Sequence, residues 1–152
     1  MRLTRFSDFG LRVLMYLTRD RDAPVTIAEI ARQFEVPHNH LVKVANRLAK
    51  LGWITAIRGR NGGLVLAHPA DTLRIGDVIR QLEECETLVD CDDDPCVLRG
   101  RCLLKGALNA GLEAFYDKMN QFTLADVASG RTGAAIVHLH RNFTNAFGAG
   151  HA

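Results

Sequence analysis

A chain of 152 residues, 47% hydrophobic and 24% charged, is long enough for one domain or for a small domain with an oligomerisation element, and it has the balance of an ordinary globular protein. No apolar run approaches the roughly 20 residues of a membrane span, and the opening Met1 to Asp8 carries no apolar signal region, which excludes a membrane partner and points to the cytoplasm. The net charge of +2 hides an asymmetry: residues 1–68 hold eleven Lys/Arg against five Asp/Glu, whereas residues 69–152 hold eight against twelve, so the first half is the part expected to meet a polyanion.

Phe6, Phe9, Val13, Leu14 and Leu17 recur at three-to-four spacing and predict a helix over 4–19, with Thr4 as its N-cap and Asp8 at the positive end of its dipole. A polar turn, 20–24, follows. Thr26 and Glu29 have the spacing of a capping box, opening a short helix over 26–34 that turns Ile27, Ile30, Ala31 and Phe34 inward. Val36-Pro37 breaks it, and Pro37 suits the first position of a new helix running to Leu51, with Leu41, Val44, Ala45, Leu48 and Leu51 on its apolar side and Gly52 at the left-handed C-cap. Two β-prone runs, 53–58 and 63–68, flank Gly59-Arg60-Asn61-Gly62, where Asn-Gly is a hairpin signal. Helix, helix, turn, helix and a basic hairpin make a winged helix-turn-helix.

Residues 69–73 link to a helix over 74–83 carrying Ile75, Val78, Ile79 and Leu82. Next comes a loop with Cys91, Cys96 and Cys102, broken by Pro95 and Gly100. A long helix over 101–121 shows Leu104, Leu108, Leu112, Phe115 and Met119 on one stripe, with little left to bury it except a second copy of the chain. Thr123 to Asp126 cap a short helix that Gly130 ends. The segment 131–152, rich in Gly, Ala, His and Asn, is expected to be a loosely ordered tail, with His138, His140 and His151 solvated rather than metal-bound. The expected organisation is mainly α: a DNA-binding domain over 1–73, a cluster-binding loop with dimerisation helices over 74–130, and the tail.

His38, Asn39, His40, Lys43, Asn46 and Arg47 form the polar side of the third helix, with the chemistry to read bases and phosphates. Arg58, Arg60 and Asn61 on the wing would reach phosphates or the minor groove, and Gly62 and Gly63 would let the backbone approach closely. A solvated helix face is the bland alternative, and it leaves the basic wing and the charge asymmetry unexplained. For the cysteines, zinc wants four ligands and short Cys-x-x-Cys spacings, which are absent. A thiol switch needs two cysteines, not three. An iron–sulfur cluster accepts longer spacings, so spacing ranks it above zinc and leaves both open. Cys85 sits at a helix end, where a small buried hydrophobe is the simplest reading, and Asp92, Asp93 and Asp94 read as a solvated acidic run. No catalytic triad, phosphate loop or acid–base pair points to an enzyme.

Met1 to Arg12, Val36 to Lys43, Arg58 to Gly63, Ile75 to Ile79, the three cysteines and Tyr116 to Asp126 together resemble the Rrf-type family of winged-helix iron–sulfur regulators, and within it the nitric-oxide-sensing NsrR-type branch. The resemblance implies Cys91, Cys96 and Cys102 as thiolate ligands of a 4Fe–4S or 2Fe–2S cluster. It implies Asp8 of the other subunit as the fourth ligand, because Lys105 stands where the IscR-type branch has a histidine. It further implies a homodimeric repressor on a palindromic operator that releases DNA when nitric oxide attacks the cluster, thereby controlling detoxification genes. The alternatives are an iron or cluster-biogenesis regulator with a 2Fe–2S centre, or a zinc or thiol redox protein without a cluster.

Overall fold

In the computed structural model, which describes residues 2–84, 87–91 and 96–147, the Thr4 side chain accepts a hydrogen bond from the Ser7 amide at 3.2 Å and starts helix α1, Arg5–Leu17. Thr26 likewise accepts from the Glu29 amide at 3.1 Å and starts α2, Ile27–Gln33. The capping box is only half made, because the Glu29 side chain turns into the protein instead of back to the cap. The turn between α2 and the next helix passes through Glu35 at φ 53. Pro37 then occupies the cap position just before α3, His38–Lys50, one residue earlier than the first helical position expected of it. Gly52, at φ 77, takes the left-handed conformation predicted for it.

The wing pairs β1, Ile54–Ile57, antiparallel with β2, Gly63–Leu66, in a register from Ile54 opposite Leu66 to Ile57 opposite Gly63. Its turn differs from the Asn-Gly expectation. The positive φ falls on Gly59, at 110°, and not on Asn61 or Gly62. Gly62 is required for space instead, since a Cβ there would collide with the Ile57 carbonyl. Gly63 has the same constraint against Val25, whose backbone bonds Leu64 in both directions at 3.0 and 2.7 Å and ties the wing to the α1–α2 connection.

After a 3-10 turn at Ala70–Thr72, α4 (Ile75–Glu83) packs on α5 (Leu103–Met119). Gly76 makes the approach close: a Cβ would meet the Tyr116 carbonyl and Asn120. Arg80 lies over the Tyr116 ring at 4.1 Å and makes a two-pronged pair with Glu113 at 2.8 and 2.6 Å. That pairing holds the Glu113 carboxyl below its ordinary range. The Thr123–Asp126 capping box is complete and opens α6, Leu124–Val127. One continuous core joins Val13, Leu14 and Tyr16 of α1 to Val44 and Leu48 of α3, Val78 and Ile79 of α4, Leu112 and Tyr116 of α5, and Leu124 of α6.

The expected loose tail is not what residues 130–147 form. They make an 18-residue helix, α7 (Gly130–Phe147), which buries Ile136 and His140 against the core. Ile136, Leu139 and Phe143 repeat at helical spacing, and Ile136 with Leu139 packs on the core, so the apolar face is short but real.

Candidate nucleic-acid interface and cysteine cavity

The burial of Leu41, Val44, Ala45 and Leu48 rotates α3 so that His38, Asn39, His40, Lys43 and Asn46 stand exposed on its other side. Pro37 supplies no capping side chain, which leaves the first amides of α3 available to phosphate oxygens. His40 keeps a tilted ring contact with Phe9 of α1, centroids 6.3 Å apart. Arg58, Arg60 and Asn61 are exposed at the wing tip. Gly62 and Gly63, predicted to open the backbone to DNA, have the internal steric role described above.

Arg47, unlike its neighbours on this side of α3, is half-buried and has partners within the chain. Its guanidinium pairs with Glu84 at 2.6 Å and donates to the Gln81 carbonyl at 3.1 Å, so it binds α3 to the end of α4. The same end of α4 holds the start of α1: the Thr4 amide and hydroxyl donate to Glu83 at 2.7 and 3.0 Å. Glu84 itself closes α4 in a left-handed conformation at φ 50. The stem of the cysteine loop is therefore fastened both to α1, which bears Asp8, and to α3. Sequence periodicity could not find these ties, because they depend on which helix ends meet.

Cys91, Cys96 and Cys102 are free thiols that line one cavity of about 430 Å³, together with Arg99, Arg101, Lys105 and Asn109. Cys96 is exposed and the other two are half-buried. Among the described residues, the Asn109 Oδ1 is buried with no hydrogen-bond partner. Three soft sulfur donors and cationic neighbours fit an anionic iron–sulfur group. Among the described residues, however, no three His, Cys, Asp or Glu side chains stand close enough to hold a metal ion. Asp8 does not line this cavity. It is partly exposed on α1 and paired with Arg12 at 2.8 Å. His138 is exposed and His140 is buried against α1. Cys85, Asp92, Asp93, Asp94 and His151 lie outside the described residues. No helix among the described residues is long and apolar enough to cross a membrane.

CymR (YrzC), the global cysteine regulator of B. subtilis, matches this fold with a TM-score of 0.69 at 25% identity, over 84% of this chain and 96% of that one. The oxidized form of Staphylococcus aureus CymR gives 0.69 at 23% identity, over 86% and 98% of the two chains. IscR of T. potens gives 0.67 at 22%, over 84% and 85%. These last two bear on the fold alone. Residues 3–130 match the Rrf2 family, described as an iron-dependent transcriptional regulator, which spans the winged helix, the cysteine loop and α5. The chain belongs to the Rrf2 family of transcriptional regulators.

Proposed function

We propose that this chain is an operator-binding repressor that senses nitric oxide through an iron–sulfur cluster and so controls genes for nitric oxide detoxification. Cys91, Cys96 and Cys102 would hold the cluster, 4Fe–4S or 2Fe–2S, with Asp8 from a second copy of the chain as the remaining ligand. The observation that carries this reading is the single cavity shared by three free thiols, reached from an α4 end that is tied to both α1 and α3. When bound, the cluster supplies iron sites open to attack by nitric oxide.

The protein's own residues supply the rest. Asp8 is a hard, weakly donating carboxylate beside soft thiolates, so of the four donors it is the one most easily given up. Arg12 offers it an alternative partner one helical turn away, through contacts at 2.8 and 3.1 Å. A change in the cysteine loop pulls on Glu84, and through Arg47 on α3. Two reading helices must sit about 34 Å apart to fit successive major grooves, so a small shift at each α3 is enough to release a palindrome.

Anaerobic purification, iron and sulfide analysis and an absorption spectrum test the proposal. A brown protein that bleaches with a few equivalents of nitric oxide and then loses operator DNA is expected. Cys91→Ala, Cys96→Ala and Cys102→Ala should each be colourless and bind operator weakly. A variant that stays colourless yet represses fully would overturn the cluster's role. A second reading, a thiol-responsive regulator without a cluster, is favoured by the exposure of Cys96 and by the likeness to a cysteine regulator. A colourless protein whose DNA binding follows thiol oxidation would establish it instead.

A further inference from the structure

Helix α7 lies beyond the family match, which ends at residue 130, and it brings one buried titratable group to the helix-turn-helix. His140 is 6% exposed. Its ring stacks on Tyr16 of α1 at 3.9 Å and 12°. The Nε2 atom lies 3.0 Å from the Tyr16 carbonyl, and Nδ1 lies 3.3 Å from the Arg21 Nη1. A carbonyl can only accept and a guanidinium can only donate, so Nε2 carries the proton and Nδ1 presents its lone pair. The contacts are thus complete for the neutral imidazole alone.

The Tyr16 ring also meets Phe34, at the end of α2, in an edge-on contact with centroids 5.7 Å apart. The Tyr16 hydroxyl donates at 2.7 Å to Glu29 in the middle of α2, and Arg21 grips the same carboxylate at 2.8 and 2.7 Å. Residues 34–37, which lead directly into the exposed start of α3, follow from the helix so held. We infer that His140 is a positioning residue for DNA reading: as a neutral imidazole it fixes α2 and the turn into α3 through Tyr16 and Glu29, and acidification weakens operator binding by unseating it.

The groups facing His140 are Tyr16 and Arg19 from α1 and its end, Arg21 from the connection, and Glu29 from α2. A second proton would enter at Nδ1, against Arg21, with the Glu29 carboxylate 4.0 Å away. Burial first, with Arg21 and Arg19 adding to it, holds the imidazole below its ordinary range, against the opposing effects of the Tyr16 carbonyl and Glu29. The released ring therefore binds more protons than the seated one. Seating is favoured at neutral pH and is lost as pH falls through and below the ordinary imidazole range.

The test uses the full-length protein and a duplex selected from a random pool by the wild type at neutral pH. Affinity is measured from about pH 7.5 to about pH 5.5, spanning the ordinary imidazole value. His140→Gln offers an amide N–H and a carbonyl oxygen in place of Nε2–H and Nδ1 but cannot gain a proton, while His140→Ala offers neither. Compared with His140→Gln, the wild type should lose up to about tenfold in affinity per pH unit below that value. His38 and His40 are present in both proteins, so their contribution cancels in the comparison. His140→Ala should bind several-fold more weakly at neutral pH, with His140→Gln restoring binding. Parallel pH curves for wild type and His140→Gln would overturn the inference, as would a Gln variant no better than Ala. Should His140→Ala fail to fold, the wild-type and Gln curves still decide. The inference rests on DNA binding alone, so its failure would leave the cluster proposal standing.

Discussion

A carboxylate at 1% exposure survives only where its oxygens find donors, and Glu29 has a phenol and both terminal nitrogens of a guanidinium at 2.7–2.8 Å. Burial, and then the bond to Glu29, keeps the Tyr16 phenol protonated far above its ordinary range, so the donor is always present. Glu29→Ala would strand a hydroxyl and a half-buried guanidinium. The expected cost is about 3 kcal/mol, below the most severe buried pairs because Arg21 is still wetted by solvent, and a thermal melt should fall on the order of 10 °C. Two arginines that look alike in sequence separate on the same reasoning. Arg60 is exposed on the wing, so Arg60→Ala should weaken binding to all duplexes and reduce the salt slope by about 1. Arg47 is committed to Glu84 and the Gln81 carbonyl, so Arg47→Ala should leave that slope unchanged while weakening specific binding. Affinity measured against salt concentration distinguishes the two.

Among the elements, the wing shows how a right prediction can rest on a wrong reason. A hairpin at 53–68 is legible from alternation and turn residues, but Gly59 supplies the left-handed residue and Gly62 supplies clearance. Gly62→Ala should therefore distort the wing without touching the core. DNA affinity should drop at least as far as in Arg60→Ala while the melt moves only slightly, a pairing checked by titration beside calorimetry. The helices α1, α3 and α4 were legible because each has a strong apolar face and a recognisable start or stop. Helix α7 was hidden because its inward face includes a histidine and small residues, and a histidine gives no apolar signal until its neighbours Tyr16, Arg21 and Glu29 are known. The ties of Thr4 to Glu83 and Arg47 to Glu84 were illegible for a different reason: surface charges give no hint of which partner they meet across the fold. The cysteine cavity was legible as a concentration of thiols, whereas the orphaned Asn109 Oδ1 became visible only with the packing of α5.

For the whole molecule, the decisive surface is the first half of α5. The stripe predicted to need a second copy is partly used inside the chain: Leu112 is buried, and Phe115 and Met119 pack on the core. What remains of it outside is Leu104, 65% exposed, and the half-buried Leu108; beside them stands Leu103, 90% exposed, followed on its own face by the exposed Ala107, Ala110 and Ala114. Val97, 99% exposed, and Leu98 add exposed apolar side chains on the cysteine loop just before α5. Single exposed apolar residues are ordinary, but a contiguous run beside a proposed ligand site marks an interface. Alanines at helical spacing let two helix backbones come close, and a two-fold axis along such a seam would bring a second copy of the chain against the thiols, where the proposed ligand role of its Asp8 requires it. A charge placed in the seam should separate the copies without disturbing the fold, since Ala110 is exposed in the single chain. Ala110→Glu is therefore expected to sediment as a monomer with an unchanged melt of its secondary structure, to bind operator DNA with the weak affinity of one half-site, and to purify without colour. Sedimentation, circular dichroism and an absorption spectrum on one preparation check this. A coloured monomer would place all the iron ligands within one chain and remove Asp8 from the site, and an Ala110→Glu dimer would move the seam to another face.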